Sequence, residues 1–384
     1  MQNKSLSEIF LDEFSKGKKN IDSWDPRTFL NAEASVDVLD FFCCAGGMSL
    51  GFASLNDLFH VLGGVDINPV SLKSYHSNYH TPVLQADITT LTENSKEIND
   101  TFHIDPKRPL VVIGCAPCQG FSAHRKKDSD KPEDKRNTLI GYFAEIAVTL
   151  QPDYVVMENV PEILTGKYKN HYEEAKKVFE NYGYHVTQRV YNAAGFGVPQ
   201  VRTRAIIVAT RNKSFVLPDE ILSVDEYKTV RDAIGNLPEI NPKDQHPKDI
   251  YHRCSSHKQS TIEVISQVPL NGGSRPCGVG PKCLDKVKGF SDVYGRLSWD
   301  KPAITITQYA RNPASGRYSH PEQNRGLSIR EAARLQSFPD GYLWEGSLGD
   351  NFKQIGEAVP PLLSLAIASQ IAITYKNGFK ENNI

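Results

Sequence analysis

VDVLDFFCCAGGMSLGFASLNDLFHVLGGVD, residues 36–66, holds two short apolar runs separated by a small-residue turn and a segment of helical texture, MSLGFASLND. An apolar run, a turn, a helix and a second apolar run make a βαβ unit, whose strands lie parallel in one sheet. The alternation continues downstream. NPVSLKSYHSNY (68–79) reads as a helix, VLQADI (83–88) and PLVVIG (109–114) as strands, NTLIGYFAEIAVTL (137–150) as a helix and DYVVMEN (153–159) as a strand. YHVTQRVYNA (184–193) and RAIIVAT (204–210) complete the set. Short apolar runs between amphipathic stretches predict an α/β fold with a doubly wound, mostly parallel sheet covered by helices.

Outward from that core the texture changes. Residues 1–34 mix charge with a few aromatics and read as a helical or partly ordered extension. From about 214 to 325 the sequence is rich in Pro, Gly and charge, and 326–384 is helical again, through SIREAARLQSF and PPLLSLAIASQIAITYKN. The expected division is an N-terminal extension (1–34), a catalytic and cofactor-binding domain (35–213), a smaller irregular domain (214–325) and C-terminal helices returning to the first domain (326–384). No run of about eighteen apolar residues is present, which argues against a transmembrane helix. The first twenty residues have no apolar core of signal-peptide length, so a cytoplasmic location is expected. Seven cysteines spread over 384 residues suit free thiols in a reducing compartment better than a disulfide framework. Net charge is −1, but residues 250–330 carry twelve Lys/Arg against five Asp/Glu, an excess of +7 that leaves −8 for the rest. A basic segment on an acidic protein can be a footprint for phosphates or merely a solvated face.

Ligands of an open α/β sheet bind at the carboxyl ends of its strands. There the first turn, FFCCAGGMSLGF (41–52), offers Gly46 and Gly47 for close backbone approach, without the G-x-G-x-x-G pattern that grips a pyrophosphate. Asp66 with Ile67 ends the second strand, placed for ribose hydroxyls and an adenine face, and Asp87 with Ile88 repeats the device after the third. Three such strand ends suggest an adenosine-containing cofactor held without a phosphate grip, although an Asp at a strand end can equally be a helix cap. After the fourth strand comes Cys115-Ala-Pro-Cys118, where Pro117 stiffens the approach to the second thiol. SAHRKKDSDKPEDKRN (122–137), with six Lys/Arg and four acids, follows as a candidate lid for an anionic substrate. Glu158-Asn159 ends the fifth apolar run on the same edge, where burial would raise a carboxyl's pKa and suit it to proton donation. Alternation puts Arg202 and Arg204 on one face, with guanidinium forks for a carbonyl or a phosphate.

PCQGFS (117–122), ENV (158–160) and QVRTR (200–204), in this order behind a glycine-rich first turn, resemble the DNA (cytosine-5) methyltransferase family of bacterial restriction–modification type. RGLSIREAARLQSFPD (325–340) and QIGEAVPPLLSLAIA (354–368) agree, so the resemblance runs from about Val36 to Ala368. It implies an S-adenosylmethionine-dependent methyltransferase fold with a target-recognition domain at 214–325. It implies a reaction in which Cys118 attacks C6 of a flipped-out cytosine, Glu158 holds N3, Arg204 grips O2 with Arg202 close by, and Asn159 orients the loop or the glutamate. For the cofactor it implies Phe42 and Gly47 near the adenosine and methionine moieties, Asp66 on the ribose, and Ile67, Asp87 and Ile88 around the adenine. Leu139, Ala358 and Val359 complete that pocket. The implied partner is double-stranded DNA, read by a monomer, with a cognate restriction endonuclease acting at the same site and no membrane. Lys282, Lys286, Lys288, Arg296, Arg311, Arg317 and Arg325 are candidates for phosphate or guanine contacts.

Two positions depart from the family's pattern. Cys44 stands where the first turn usually carries Gly, tolerable only if the backbone there avoids left-handed angles, and Glu357 stands where the last motif usually has Asn. A thioredoxin-like role for Cys115 and Cys118 would leave Glu158 and the arginines unused, which casts Cys115 as a small packing residue. A structural zinc on His252, Cys254, His257, Cys277 and Cys283 lacks paired short spacings, so no metal is expected. A tRNA-directed enzyme shares most of the motifs, and a catalytically silent DNA-binding protein would share the fold; the long variable segment favours DNA and the intact Cys118, Glu158 and Arg204 favour catalysis.

Overall fold

The computed structural model describes residues 5–28, 34–92, 95–117, 138–241, 245–246, 248–286 and 292–381. Its strands are β1 (Val36–Phe41), β2 (Phe59–Asp66), β3 (Val83–Gln85), β4 (Leu110–Gly114), β5 (Tyr154–Asn159), β6 (His185–Asn192) and β7 (Thr203–Thr210). They form one seven-stranded sheet in the order β3-β2-β1-β4-β5-β7-β6. All neighbours are parallel except β7, which runs antiparallel to both β5 and β6. The helices before and between these strands are α1 (Leu6–Asp22), α2 (Gly47–Ala53), α3 (Pro69–Tyr79), α4 (Ile88–Leu91), α5 (Lys96–Phe102), α6 (Leu139–Thr149) and α7 (Lys169–Asn181). Downstream lie α8 (Val230–Ile234), a two-stranded ribbon of β8 (Gln245–His246) and β9 (Asp249–Arg253), α9 (Gln259–Ser266), α10 (Ile329–Leu335), α11 (Leu348–Glu357) and α12 (Pro361–Glu381).

β1, β4 and β5 are buried along their whole length, because helices cover both faces of the sheet. On one face Val38, Val111, Ile113 and Val156 meet Phe10 and Phe14 of α1, Leu50 and Phe52 of α2 and Leu363 and Ile367 of α12. On the other, Leu39, Phe41, Val112 and Val155 meet Ile98 of α5, Ile140 and Phe143 of α6 and Tyr172 and Phe179 of α7. Residues 348–377 are the one stretch among the described residues long and apolar enough to cross a membrane, and 89% of its most apolar eighteen-residue window is buried inside the protein. Strand order reverses between β1 and β4, and the crevice at their carboxyl ends is where such sheets bind ligands. The expected doubly wound, mostly parallel sheet is observed; the antiparallel direction of β7 and the helix α7 were not anticipated.

The described residues between 214 and 325 have little regular structure and include a small apolar cluster of Val264, Ile265, Val268, Val293 and Tyr294. Arginines bind its loops together. Arg296 is fully buried and donates to the carbonyls of Val268, His320, Gln323 and Ile265 at 2.7–3.1 Å. Arg317 donates to the carbonyls of Gly272, Gly273 and Arg296 and pairs with Asp292. Arg325 is buried in a two-pronged pair with Glu331 of α10, at 2.8 and 2.7 Å. Arg296 and Arg325 therefore do not reach DNA as expected, and Arg317 is held in internal bonds; Lys282, Lys286 and Arg311 are exposed, and Lys288 lies outside the described residues.

The buried pair gives a stability prediction. Burial alone would raise the Glu331 carboxyl, but Arg325 holds it down to about 2. Its contribution is thus complete above the ordinary glutamate range and is lost as pH falls through about 2. Glu331→Gln leaves a buried guanidinium without its counter-charge, and denaturant titration should record a loss of about 3–5 kcal/mol near neutral pH.

Candidate active site

The strand ends bring the motif residues to one edge. Phe41 lies opposite Val65 on one side and Gly114 on the other, so the turn after β1 sits between Asp66 and the Cys115 segment. Gly114 lies opposite Met157, which places Cys115 beside Glu158. β7 pairs Ala205 with Asn159 and Ile206 with Glu158, and its antiparallel direction starts Thr203 and Arg204 at this same edge.

Glu158 is buried, 1% exposed. Its Oε2 accepts a hydrogen bond from the Cys115 thiol at 2.9 Å. Arg204 Nε stands 3.0 Å from Oε1, yet its N–H is not aimed at that oxygen, so the contact is an ion pair and Oε1 accepts no hydrogen bond from the described residues. Arg204 also donates through Nη1 to the Thr203 carbonyl. Asn159 accepts from Val160 N–H at 2.9 Å and donates to the Ala116 carbonyl at 3.3 Å, fastening the chain two residues before Cys118 to β5. Cys118 and the basic segment 122–137 lie outside the described residues. Arg202 departs from the expected pairing with Arg204. Its buried guanidinium donates to the carbonyls of Ile306 and Ala358 at 3.2 and 3.1 Å, joining the start of β7 to the C-terminal segments. Cys115, expected to be a packing residue, does pack against the core and is also the hydrogen-bond donor to Glu158 among the described residues. The clue was positional: one residue beyond a buried strand, opposite the strand that carries Glu158.

The cofactor candidates form a second group. Phe42, Cys44 and Gly46 have φ of 55°, 49° and 92°, so the left-handed angle expected to be avoided at Cys44 is present. Each such non-glycine residue costs about 1–2 kcal/mol. Fixed bonds offset it: Cys44 N–H donates to Asp66 Oδ2 at 2.8 Å, Cys43 N–H to the Val65 carbonyl and Gly46 N–H to the Cys43 carbonyl. Burial raises both the Asp66 and Glu357 carboxyls, and the charge of Asp66 adds to the rise at Glu357. Ile67 beside them is 64% exposed, an apolar surface facing solvent at a strand end. A Cβ on Gly47 would stand 2.4 Å from the Val359 carbonyl and 3.0 Å from Ala358, so the first turn and the last motif close on each other only with glycine here. Leu139 opens α6 half-buried on the same side. Asp87 is exposed and caps α4 through Thr89 N–H and hydroxyl, and Ile88 is buried in the core, so this pair forms a helix start.

The Cys/His group of the smaller segment is dispersed. His252 donates from Nε2 to the Pro238 carbonyl and meets Ser328 with Nδ1, while His257 accepts the Gly326 N–H. Cys254 is buried and Cys277 and Cys283 are exposed. Among the described residues no three His, Cys, Asp or Glu gather as a metal would need.

The sequence pattern of C-5 cytosine-specific DNA methylases matches residues 36–372, which takes in every strand of the sheet and both groups of residues. The chain belongs to this family. A Type II methyltransferase of Haemophilus parahaemolyticus, M1.HphI, is 38% identical over 338 residues, 88% of this chain and 87% of its own. M.HgiDII, a Type II methylase of Herpetosiphon aurantiacus, is 33% identical over 87% of this chain and 94% of its own. A prophage-encoded E. coli protein, solved as a candidate DNA modification methyltransferase, has the same fold, with TM-score 0.68, 24% identity and coverage of 89% of this chain and 100% of that one.

Beneath the first turn of this methylase lies a buried acid that the motif reading passed over. Asp40 of β1 accepts a hydrogen bond from Ser49 at 2.7 Å, and Ser49 contacts the Tyr75 hydroxyl at 2.8 Å. Burial pushes its pKa up to about 8, with the charge of Asp66 adding to the rise. A carboxyl raised in the fold contributes stability fully below the ordinary aspartate range, lost as pH rises through about 8. Thermal unfolding between about pH 5 and 9 should show wild type losing more stability than Asp40→Asn, with a slope of up to about 1.4 kcal/mol per pH unit.

Proposed function

We propose that the enzyme transfers a methyl group from S-adenosylmethionine to C5 of a cytosine in a short specific sequence of double-stranded DNA. It would act as the cytoplasmic modification member of a restriction–modification system, alongside an endonuclease for the same site. The carrying observation is the meeting of Glu158, Arg204 and Asn159 with the chain that leads into Cys118. Relatives named as Type II methyltransferases support the restriction–modification assignment.

Cytosine C5 is unreactive until a nucleophile adds at C6. Cys118 is assigned that role: its thiolate forms the S–C6 bond and the C5=C6 electron pair moves to C5. Glu158 holds N3 and favours its protonation, which draws electrons through the ring toward that addition. Arg204 has a fork of donors, and the edge not turned to Glu158 and Thr203 is assigned to cytosine O2. Arg202 braces the wall of the site through the Ile306 and Ala358 carbonyls, and Asn159 holds the nucleophile's loop to β5. S-adenosylmethionine, when bound, supplies the methyl group as an electrophile. The C5 proton then passes to a solvent water acting as base, its bonding pair re-forms C5=C6, and the S–C6 bond breaks to return the thiolate. Reaching C6 in a duplex requires the base to be swung out. Residues 214–325 are assigned to reading the surrounding bases.

The residues around the first turn fit this methyl donor. Two acids raised by burial, Asp66 and Glu357, suit a cationic ligand with ribose hydroxyls; exposed Ile67 suits an adenine face, and Gly47 leaves room against Ala358 and Val359.

Tritiated-methyl incorporation into duplex DNA and into tRNA tests the substrate: labelled DNA is expected, and label in tRNA alone would overturn the reading. Cys118→Ser should lower turnover by about a thousandfold or more while cofactor affinity stays within about twofold. Cys115→Ala, which removes one hydrogen bond from Glu158, should lower kcat about tenfold with little change in the KM for DNA.

A further inference from the structure

Residues 5–28 precede the span 36–372 that matches the family, yet they are built into the fold. α1 packs on α12 and α2, and Gly17 stands at the crossing, where a Cβ would lie 2.3 Å from a Leu365 methyl carbon. Asn20 donates to the Ser54 carbonyl at 2.6 Å, and Lys376 of α12 pairs with Glu13 at 2.6 Å. Beyond α1 the chain turns inward and buries Trp24, whose ring lies 5.6 Å from that of Tyr79 and 6.5 Å from that of Tyr342. The Trp24 carbonyl fills the place of a side chain at Gly341, where a Cβ would be 1.9 Å away. His80 donates from Nε2 to the Pro26 carbonyl at 2.8 Å and fixes the far end of the segment.

The two tyrosines reach the first turn. Tyr79 donates its hydroxyl to the Gly46 carbonyl at 2.6 Å, and Tyr342 donates to the Ala45 carbonyl. Their oxygens are 3.2 Å apart. The turn they hold has Phe42, Cys44 and Gly46 in left-handed conformations. A backbone in sparsely populated angles persists only where its surroundings over-determine it. Cys44 makes the demand greater, because a glycine there would adopt the same angle freely.

We infer that residues 5–28 are a positioning strap for the methyl-donor site. Trp24 packs behind Tyr79 and Tyr342, keeps their hydroxyls on the Ala45 and Gly46 carbonyls, and so presets the turn before the cofactor arrives. The inference rests on the reading that this turn binds S-adenosylmethionine. Trp24 acts through the tyrosines and the turn, so its loss should weaken cofactor binding and leave DNA binding and the chemical step alone.

The test uses the full chain with Trp24→Ala, Trp24→Phe and Gly341→Ala, the last pushing the strap away without touching the indole. Trp24→Ala and Gly341→Ala should raise the KM for S-adenosylmethionine about tenfold, with kcat at saturating cofactor and DNA affinity within about twofold. Hydrogen exchange should quicken at amides 43–46 while those of β1 and β4 stay protected. Trp24→Phe keeps an aromatic face and should restore most of the affinity. Folded Trp24→Ala with wild-type cofactor KM and unchanged exchange at 43–46 overturns the inference. So does a parallel loss of cofactor binding, DNA binding, kcat and β1 protection, which would mark a general stabilising role. If the wild type binds no S-adenosylmethionine the proposed function fails separately, and exchange at 43–46 in Trp24→Ala still decides whether the strap holds the turn.

Discussion

A carboxyl group almost wholly removed from water must find its partners inside the protein, and the antiparallel pairing of β7 with β5 supplies one for Glu158. Glu158 faces Ile206 and Asn159 faces Ala205, so Arg204 emerges at the carboxyl edge beside both. Had β7 run parallel to β5, its first residues would lie at the opposite edge, about 25 Å away for an eight-residue strand. A slip of one residue would turn Arg204 to the other face of the sheet. The one reversed strand is therefore the feature on which the geometry of the site rests. Arg202, just before it, secures the same strand start to the Ile306 and Ala358 carbonyls, so the reversed strand cannot shift without breaking the C-terminal closure.

The first turn is governed by a different constraint. Under the proposed function its backbone would be the binding surface, and its left-handed residues are a local cost that neighbouring bonds must offset. Asp66 does part of this by accepting N–H groups from Cys44 on one side and Asn68 on the other. Its carboxylate is thus already engaged in shaping the turn, and the ribose role assigned to it uses a group oriented in advance. Nearby Glu357, also raised by burial, adds a second acid beside the turn, with Lys353 as its neighbouring cation. A ligand carrying positive charge would relieve that imbalance, which is the electrostatic argument for a sulfonium donor over a phosphate-bearing one.

The parallel strands were legible because continuous apolar runs such as VVI at 111–113 signal burial on both faces, and the observed strands follow them closely. The direction of β7 was not, since the run RAIIVAT looks alike whichever way it enters the sheet. α7 was missed because its buried stripe of Tyr172, Ala175 and Phe179 is narrow within a charged segment. Glu158, Asn159 and Arg204 were found through motif order, and the structure brings the three together. Alternation failed for Arg202 because it lies one residue before the strand, where the period-two rule does not yet apply. The bond from Cys115 to Glu158 and the aromatic backing of the first turn by Trp24, Tyr79 and Tyr342 depend on contacts between distant segments that no local pattern encodes.

The same limit explains the basic segment. Counting charges between 250 and 330 suggested a surface for phosphates, but Arg296 and Arg325 are interior residues. A segment with few ladders leaves many backbone carbonyls without partners, and each buried one needs a donor. With five donors on a rigid plane, a single guanidinium can satisfy several carbonyls from different loops, as Arg296 does for Ile265, Val268, His320 and Gln323. Arginine thus does in this segment what strand pairing does in the sheet. Part of the +7 excess is structural, and the charge available to DNA is what remains exposed, including Lys282, Lys286 and Arg311. The base reading proposed for residues 214–325 would fall to these exposed positions, on loops that the arginines beneath them tie together.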